Sequence, residues 1–359
     1  MKISIFTFSK GDNYGAVLQS FALAQILREK GYQIEFIHLT WFNSWKQRLA
    51  SLLLPQSYRF ESFRKKYLRS FSKPCHKRED LSKAVKQTDL CIVGSDQVWN
   101  PDITGKYALH YFFDFLPDNM PRIAYAASFG NSKWMHPELV SSVNILLKKF
   151  SAISVREDSG IDICQKQFHV KATEVLDPTL LITDYSSYIK IPQVTPQIVS
   201  FKFHPSKEYY KLLEHISQDL CNKVCLMGIL PKKDFKEALQ FKIDTFTPVE
   251  RWIGNIASAT LVVTDSFHCT VFSILHRRQF IVITGNKKRK GRLYSLLQKL
   301  DLLDRLYEDI ESVYHTDKWK EKICYDKVFD IIKEEQNKSL DFLTHNLKMA
   351  TKKAMNTET

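Results

Sequence analysis

Short apolar runs that do not alternate with polar residues recur along this chain, and most are followed by a segment with helical periodicity. KISIFTFS (2–9), DLCIVGS (89–95), RIAYAASFG (122–130) and LVVT (261–264) are of this kind. A strand that is apolar on both faces has to be covered on both faces, which is the usual situation in parallel sheets flanked by helices. The pattern therefore predicts an α/β fold built from doubly wound, Rossmann-like sheets.

A break in this alternation divides the chain. The segment DYSSYIKIPQVTP (184–196) has two prolines and several small polar residues, and the alternation of strand and helix restarts after it. A length of 359 residues also exceeds what one hydrophobic core usually supports. We predict two Rossmann-like domains that face a cleft, over 1–185 and 196–317, and a C-terminal helical extension over 318–359.

The composition excludes several classes of protein. With 44% hydrophobic and 13% aromatic residues the chain can build packed cores, so a disordered protein is not expected. No apolar run reaches the roughly 18 residues of a membrane-spanning helix, and residues 2–8 are too short for a secretory signal. The seven cysteines form no C-x-x-C pair, so we expect reduced thiols and a cytoplasmic protein. No set of His, Cys, Asp or Glu has metal-ligand spacing, and no metal is predicted.

The net charge of +13 is concentrated in two places. Residues 41–80 carry ten Lys and Arg against three acids, and KKRKGR (287–292) forms a second cluster. Such a segment suits an anionic membrane surface, an acidic glycan or nucleic acid, or is a solvated face without a partner. No nucleic-acid-binding motif accompanies the charge, so nucleic acid is the least favoured partner. Aromatic residues are interleaved with the cations at Trp41, Trp45, Tyr58 and Tyr67.

Ligands of doubly wound sheets bind beyond the carboxyl ends of the strands, so the residues that follow each strand are candidates for a site. Arg156 ends the strand AISVRE (152–157) and is either half of an interdomain ion pair or a fork for a carboxylate or phosphate. The other candidates at strand ends of the first half are Asn13, Tyr14, Ser95, Asp96, Gln97, Trp99 and Ser128.

In the second half, His268 falls in the first turn of a helix that directly follows the apolar strand 261–264. Backbone N–H groups and the positive dipole end of a helix attract anions there. His268 is therefore either part of an anion site or a capping or core histidine bonded to backbone. Asp265 and Ser266 are expected to provide the N-cap of this helix, and His276 a favourable charge at its carboxyl end. Lys202 would lie beside His268 if their strands were neighbours.

Six motifs occur together in a fixed order: GDNYGAVLQSFAL, VGSDQVWNP, AYAASFG, SVRE, LDPTLL (176–181) and TDSFHCTVFS. In sequence and spacing they resemble the polysaccharide pyruvyl transferase family from about residue 3 to residue 305. GSDQVWN and TDSFH together are the most specific part of this resemblance.

The resemblance implies two Rossmann-like domains of the glycosyltransferase-B (GT-B) type, with the acceptor on the first and the donor on the second. It also implies transfer of a pyruvyl group from phosphoenolpyruvate to two hydroxyls of a sugar, which leaves a ketal and releases phosphate. Phosphoenolpyruvate would be a co-substrate, and no other cofactor is expected. The acceptor would be a sugar of a capsular, exopolysaccharide or cell-wall repeat unit, often on a lipid carrier. By motif position, His268 matches a catalytic histidine, Arg156 an arginine implicated in donor binding, and Asp96 an aspartate near the acceptor.

Two departures from the family pattern bear on the donor. Ser266 stands where members with a characterised histidine often have a basic residue, and Cys269 stands where glycine is more usual. The donor phosphate would then be neutralised by Lys202, Arg292 or the cluster at 287–290. We therefore predict that Arg156, Ser266, Lys202 and Arg292 bind the donor, and that the acceptor is bound by Asn13, Tyr14, Ser95, Gln97, Trp99 and Ser128.

Under this hypothesis His268 orients or protonates the donor, and Asp96 accepts the proton of the sugar hydroxyl. The segment 41–73 would rest on the anionic inner face of the membrane, where a lipid-linked acceptor is presented. One rival is a nucleotide-sugar-dependent glycosyltransferase of the same fold, with Glu250 as the ribose-binding carboxylate. A second rival is a non-catalytic protein that binds an acidic glycan or nucleic acid through its charge.

Overall fold

The computed structural model describes residues 1–40, 55–228, 235–285 and 287–355. Two six-stranded sheets are present in this part of the chain, and all neighbouring strands in both sheets run parallel. The predicted α/β class with two doubly wound, Rossmann-like sheets is confirmed.

The first sheet has the strand order β2-β1-β3-β4-β5-β6. Every residue of β3 and β4 is buried, as expected for strands covered on both faces. The chain order reverses between β1 and β3, which makes this pair the topological switch point of the sheet. The strands are β1 Lys2–Phe6, β2 Gln33–Phe36, β3 Leu90–Val93, β4 Arg122–Ala127, β5 Ala152–Val155 and β6 Thr173–Glu174.

The second sheet has the order β9-β8-β7-β10-β11-β12, and its switch point lies between β7 and β10. The central strands β10 and β11 are again buried along their whole length. The strands are β7 Ile198–Phe201, β8 Val224–Met227, β9 Lys242–Asp244, β10 Leu261–Thr264, β11 Phe280–Ile283 and β12 Leu306–Tyr307.

Capping side chains account for where several helices begin. Asn13 Oδ1 accepts a hydrogen bond from Ala16 N at the start of α1, and Ser206 Oγ accepts one from Tyr209 N at the start of α7. Because Asn13 is the cap, α1 begins at Tyr14. The helices are α1 Tyr14–Glu29, α2 Pro55–Phe63, α3 Arg78–Ala84, α4 Pro101–Thr104, α5 Val140–Leu147, α6 Asp158–Asp162, α7 Lys207–Asp219, α8 Phe235–Ala238, α9 Val249–Ala257, α10 Phe267–Leu275, α11 Lys287–Lys299, α12 Glu311–Tyr314 and α13 Tyr325–Met355.

The described residues group into two compact units, each built around one sheet. The first unit comprises 1–40, 64–182 and 333–355, and the second comprises 55–63, 183–228, 235–285 and 287–332.

This division differs from the predicted domain ranges in two places. The helix α2, predicted within the first domain, packs against α9 and belongs to the second unit. The last part of α13, predicted as part of a separate extension, belongs to the first unit. It is fastened there by Ser339 Oγ, which accepts a hydrogen bond from Leu176 N at 2.9 Å. None of the described helices combines the length and apolar character needed to cross a membrane.

Candidate functional site

The switch point of the second sheet brings together two charged residues that follow adjacent strands. Phe201 of β7 pairs with Thr264 of β10, so Lys202 and Asp265 lie side by side directly after the strands. The Lys202 Nζ is 3.6 Å from Asp265 Oδ2 and donates a hydrogen bond to the Ile283 carbonyl at the end of β11, at 2.9 Å. The ammonium group is therefore held across the carboxyl ends of three adjacent strands. The prediction that Lys202 lies beside His268 required β7 and β10 to be neighbouring strands, and they are neighbours in the sheet.

The start of α10 is set by Ser266 rather than by Asp265. Ser266 Oγ accepts a hydrogen bond from Cys269 N at 3.4 Å, and Ser266 N donates to Thr264 Oγ1 at 3.0 Å. Asp265 Oδ1 instead accepts from the backbone N–H of Phe203, at 3.1 Å. Of the two predicted cap residues, Ser266 is confirmed and Asp265 is wrong, because the Asp265 carboxylate is committed to the turn that follows β7.

His268 is the second residue of α10, as predicted, and only 7% of its surface is exposed. Its ring packs edge-on against Phe267, with centroids 5.2 Å apart. Burial raises the pKa of the neighbouring Cys269 thiol to about 12, so this cysteine carries no thiolate near neutral pH. The imidazole of this turn has two ring nitrogens, through which it can donate and accept hydrogen bonds.

His276 does not have the predicted role at the other end of α10. It follows the last helical residue, but burial, together with the charge of Arg278, lowers its pKa from 6.5 to about 4. The imidazole is neutral at physiological pH and cannot stabilise the helix as a cation. The interpretation as a favourable charge is wrong because it overlooked burial.

The predicted basic residues on α11 are only partly described. Arg292 lies on this helix and is half-buried. The side chains of the cluster at 287–290 lie outside the described part of the structure.

Polar side chains at the carboxyl edge of the first sheet form one buried network around Asp177. Its Oδ2 accepts hydrogen bonds from Ser95 Oγ at 2.8 Å and from Arg156 Nη1 at 2.9 Å. Its Oδ1 accepts from Thr179 N at 3.0 Å and from Thr179 Oγ1 at 2.6 Å. One carboxylate thereby connects the residue after β3, the residue after β5 and the turn after β6.

Glu157 extends the network to Ser128, which follows β4. Its Oε1 accepts a hydrogen bond from Ser128 Oγ at 2.7 Å, and its Oε2 is 3.7 Å from Arg156 Nε. Burial alone would lower the pKa of Arg156, but the charges of Asp177, Glu157 and Asp96 outweigh this effect and raise it. The guanidinium is permanently charged, and its ion-pair partners belong to the same unit. These two ion pairs are therefore formed within the first unit.

Asp96 has a strained backbone at the centre of the GSDQ motif. Its φ of +80° is rare for a residue with a side chain. Its carbonyl accepts a hydrogen bond from Ser128 N at 3.0 Å, and its Oδ1 accepts one from Gln97 N at 2.9 Å. Asp96 is half-buried. Such strain is characteristic of functional turns, and here the neighbouring strand end keeps it in place.

Gly130 makes room for two side chains of this motif. A Cβ at this position would lie 2.2 Å from Gln97 Oε1 and 2.6 Å from Asn100 Nδ2, and the φ of Gly130 is +73°. Gln97 and Asn100 are hydrogen-bonded to each other at 3.2 Å. A side chain in place of the glycine of AYAASFG would thus have to displace Gln97 and Asn100 in the GSDQVWN turn.

Several residues predicted to bind the acceptor have structural tasks. Trp99 is fully buried, stacks on Phe112 with centroids 5.1 Å apart, and donates from Nε1 to the Tyr111 carbonyl. Its prediction as a sugar-binding residue is wrong, since its ring is part of the core. Tyr14 is also buried. Asn13 caps α1 and is exposed.

Ser95 and Ser128 are fully buried within the network. Together with Asp96, Gln97 and Arg156 they lie at the same edge of the first sheet. Lys202, Ser266 and His268 lie at the corresponding edge of the second sheet. Sequence reasoning missed Asp177, although it stands inside the quoted motif LDPTLL. Among the residues that the structure describes, no three His, Cys, Asp or Glu are grouped so that they could hold a metal ion.

Comparison with known proteins identifies one family. The family model described as polysaccharide pyruvyl transferase matches residues 13–287. A search of curated protein sequences gives no significant match.

Solved structures with a similar fold are distant in sequence. A protein from Listeria monocytogenes described as a UDP-N-acetylglucosamine 2-epimerase is 8% identical, with a TM-score of 0.62 and 97% of each chain covered. The S. aureus MnaA–UDP complex is 11% identical, with a TM-score of 0.59, and the match covers 97% of this chain and 96% of that one. Arabidopsis thaliana UGT89C1 is 8% identical, with a TM-score of 0.54 and coverage of 98% and 99%. At this identity the similarity shows the fold alone, which is the GT-B fold.

Proposed function

The chain belongs to the polysaccharide pyruvyl transferase family, and from this premise we propose that it transfers a pyruvyl group from phosphoenolpyruvate to two hydroxyls of a sugar. The product is a pyruvate ketal on a polysaccharide or lipid-linked repeat unit, and inorganic phosphate is released.

The observation that carries this proposal is the arrangement at the switch point of the second sheet. Lys202 is held at the carboxyl ends of the central strands, and His268 is in the first turn of the helix that follows β10. A donor with a carboxylate and a phosphate requires a cation and a helix N-terminus. Lys202 would supply the cation and α10 the helix N-terminus, although position 266 holds a serine instead of a basic residue. Arg292 is proposed to supply further positive charge.

The proposed reaction has two steps. In the first, the oxygen of one sugar hydroxyl bonds to the enol carbon of phosphoenolpyruvate while its methylene carbon gains a proton, and the hydroxyl loses its own proton. In the second, another hydroxyl oxygen bonds to the same carbon, the carbon–oxygen bond to phosphate breaks, and the second hydroxyl proton is lost. The carboxylate is unchanged throughout, and no oxidant or reductant is needed.

Three side chains receive roles in this scheme. His268 is proposed to orient the donor or deliver the proton to its methylene carbon, and Asp96 to accept a sugar hydroxyl proton. The carboxylates of Asp177 and Glu157 already balance the charge of Arg156. We therefore assign Arg156 to holding the Ser95–Asp96 turn, and not to direct contact with the donor as the family resemblance implied.

The proposal is tested by incubating the protein with phosphoenolpyruvate and candidate lipid-linked sugars, while released phosphate and product mass are measured. His268→Ala is expected to abolish phosphate release. Because His268 is largely buried, His268→Gln serves as the variant that keeps most of the side-chain volume. His315→Ala removes an exposed histidine and is the matched control.

Full phosphate release by both His268 variants would exclude the histidine from the chemistry. Loss of the folding transition in both would show that its role is structural. Product formation from a nucleotide sugar, with none from phosphoenolpyruvate, would favour the glycosyltransferase alternative.

A further inference from the structure

Residues 64–78, which we call the basic edge, carry seven Lys and Arg and no Asp or Glu. They include the end of the segment 41–73 for which sequence analysis predicted membrane contact. Residues 41–54 lie outside the described part of the chain.

The backbone of the basic edge runs along the outermost strand of the first sheet. Phe36 N donates to the Ser70 carbonyl at 3.0 Å, and Ser72 N donates to the Phe36 carbonyl at 2.9 Å. Further along, Cys75 N donates to the His38 carbonyl at 2.8 Å. The basic edge therefore has a defined conformation and forms the border of this sheet.

Two arginines fix the first turn of the basic edge from inside. Arg64 is buried, and its guanidinium donates to the carbonyls of Ser9 at 2.9 Å and Gly11 at 2.6 Å and to Asp12 Oδ1 at 2.8 Å. Arg28 of α1 donates to the carbonyls of two residues within the basic edge, Tyr67 and Leu68. The turn is thus bonded both to α1 and to the loop after β1.

The other cations of this stretch point outward. Lys65, Lys66, Arg69 and Lys73 are exposed. Lys65, Arg69 and Lys73 form no ion pair with any residue that the structure describes. Burial, and to a smaller extent the nearby charge of Arg69, lowers the pKa of Arg28. A fixed surface that concentrates positive charge in this way is complementary to a densely anionic one.

We propose that the basic edge docks on an anionic lipid bilayer surface. A lysine or two would be enough to protect a sheet border from pairing with another chain. Here, cations also occupy the turn before the border, where no strand needs protection. Each Lys or Arg close to an anionic bilayer increases partitioning about fivefold. Through Arg64, docking would also place the loop Ser9–Asp12, which precedes α1, beside the bilayer. Under the proposed function, this placement would bring the loop close to a lipid-linked acceptor. That consequence rests on the proposed function, whereas the docking itself does not.

The test is sedimentation of the full chain with sucrose-loaded vesicles, without any substrate. Phosphatidylglycerol vesicles are compared with phosphatidylcholine vesicles at low salt and at about 1 M salt, where the Debye length is about 3 Å. We expect binding to the anionic vesicles only, and loss of that binding at high salt. The triple variant Lys65→Gln, Arg69→Gln, Lys73→Gln should bind about a hundredfold more weakly.

The matched control removes the same number of charges elsewhere on the first unit. Lys133, Lys148 and Lys171 are exposed, and their simultaneous replacement by Gln should change vesicle binding little. Equal losses in both triple variants would overturn the proposal, since only net charge would matter. Equal binding to both kinds of vesicle would also overturn it, as would tighter salt-dependent binding to nucleic acid than to vesicles. The folded state of each variant is checked by its thermal transition.

Discussion

Arg156 Nη1 lies 2.9 Å from Asp177 Oδ2, and both side chains are sealed from solvent in the first unit. The same carboxylate accepts hydrogen bonds from Ser95 and Thr179. A buried ion pair is weak evidence for net stability, because desolvation of both charges offsets their attraction. Its structural effect is more definite, since it fixes the positions of the residues that follow β3 and β5. A buried ion pair therefore holds the turn that carries Asp96.

Asp177→Asn should destabilise the first unit, because it removes the nearest of the negative charges that balance the buried Arg156. We expect a loss of about 3 kcal/mol in the free energy of unfolding, measured by urea denaturation. Arg156→Met combined with Asp177→Leu and Glu157→Gln should cost less than the three separate changes added together, since no unbalanced buried charge remains. Asp162→Asn, which breaks the exposed pair with Lys166, is the control and should cost less than about 1 kcal/mol.

Gly130→Ala should disturb the GSDQVWN turn more than its backbone strain alone requires. The new Cβ would displace the side chains of Gln97 and Asn100. Gly31→Ala is the matched control, because Gly31 has a similar φ of +84° but nothing within 4 Å of the added carbon. We expect Gly130→Ala to lose about 1 kcal/mol more than Gly31→Ala in urea denaturation. Equal losses would show that the two side chains move aside freely.

His276 should make the protein less stable as the pH falls. Its pKa is about 4 in the folded state against 6.5 for an ordinary histidine, so the unfolded chain binds more protons between these values. Stability is therefore highest above pH 6.5 and falls as the pH decreases toward 4. The contribution of this residue between pH 7 and pH 4.5 is about 2 kcal/mol.

The test compares the wild-type chain with His276→Gln by urea denaturation at both pH values. The variant has no titrating group at this position, so its loss of stability on acidification should be smaller by that amount. His315→Gln, at an exposed position, should retain the full pH dependence. An unchanged pH dependence in His276→Gln would mean that the imidazole is protonated without cost in the folded state.

Most of the fold follows from the sequence, because its central strands are continuous apolar runs that fit few structures other than a buried parallel strand. The strands β6, β9 and β12 were not predicted, since runs of two or three residues at sheet borders have no measurable period. The membership of α2 in the second unit depends on packing against α9, a contact between segments about 190 residues apart. Local pattern carries no information about such a contact.

The sequence predicts which residues lie at the strand ends of the candidate site, but it does not predict the role of each residue. Residues after a parallel strand share one edge, which is why Ser95, Ser128 and Arg156 do lie together. Whether such a residue faces a ligand or a buried partner depends on burial, and composition does not reveal burial. Trp99 and His276 were misassigned for this one reason.

Lys202 and Asp265 should show coupled effects on donor affinity, if the proposed function holds. Asp265→Asn keeps an acceptor for the Phe203 N–H but removes the negative charge 3.6 Å from the Lys202 ammonium. The ammonium would then be less neutralised, and the KM for phosphoenolpyruvate should fall. Lys202→Met should raise it about tenfold or more, as expected for loss of a charged hydrogen bond.

The double variant decides whether Asp265 acts through Lys202. If it does, the double variant Lys202→Met, Asp265→Asn should have the same KM as Lys202→Met alone. No ammonium then remains whose charge Asp265 could neutralise. Independent effects would instead multiply, and that outcome would remove Lys202 as the link between the carboxylate and the donor. Lys320→Met, which breaks an exposed pair with Asp219 in the same unit, controls for a general loss of positive charge. The measurement is phosphate release at varied phosphoenolpyruvate, with direct binding by calorimetry where turnover is too slow.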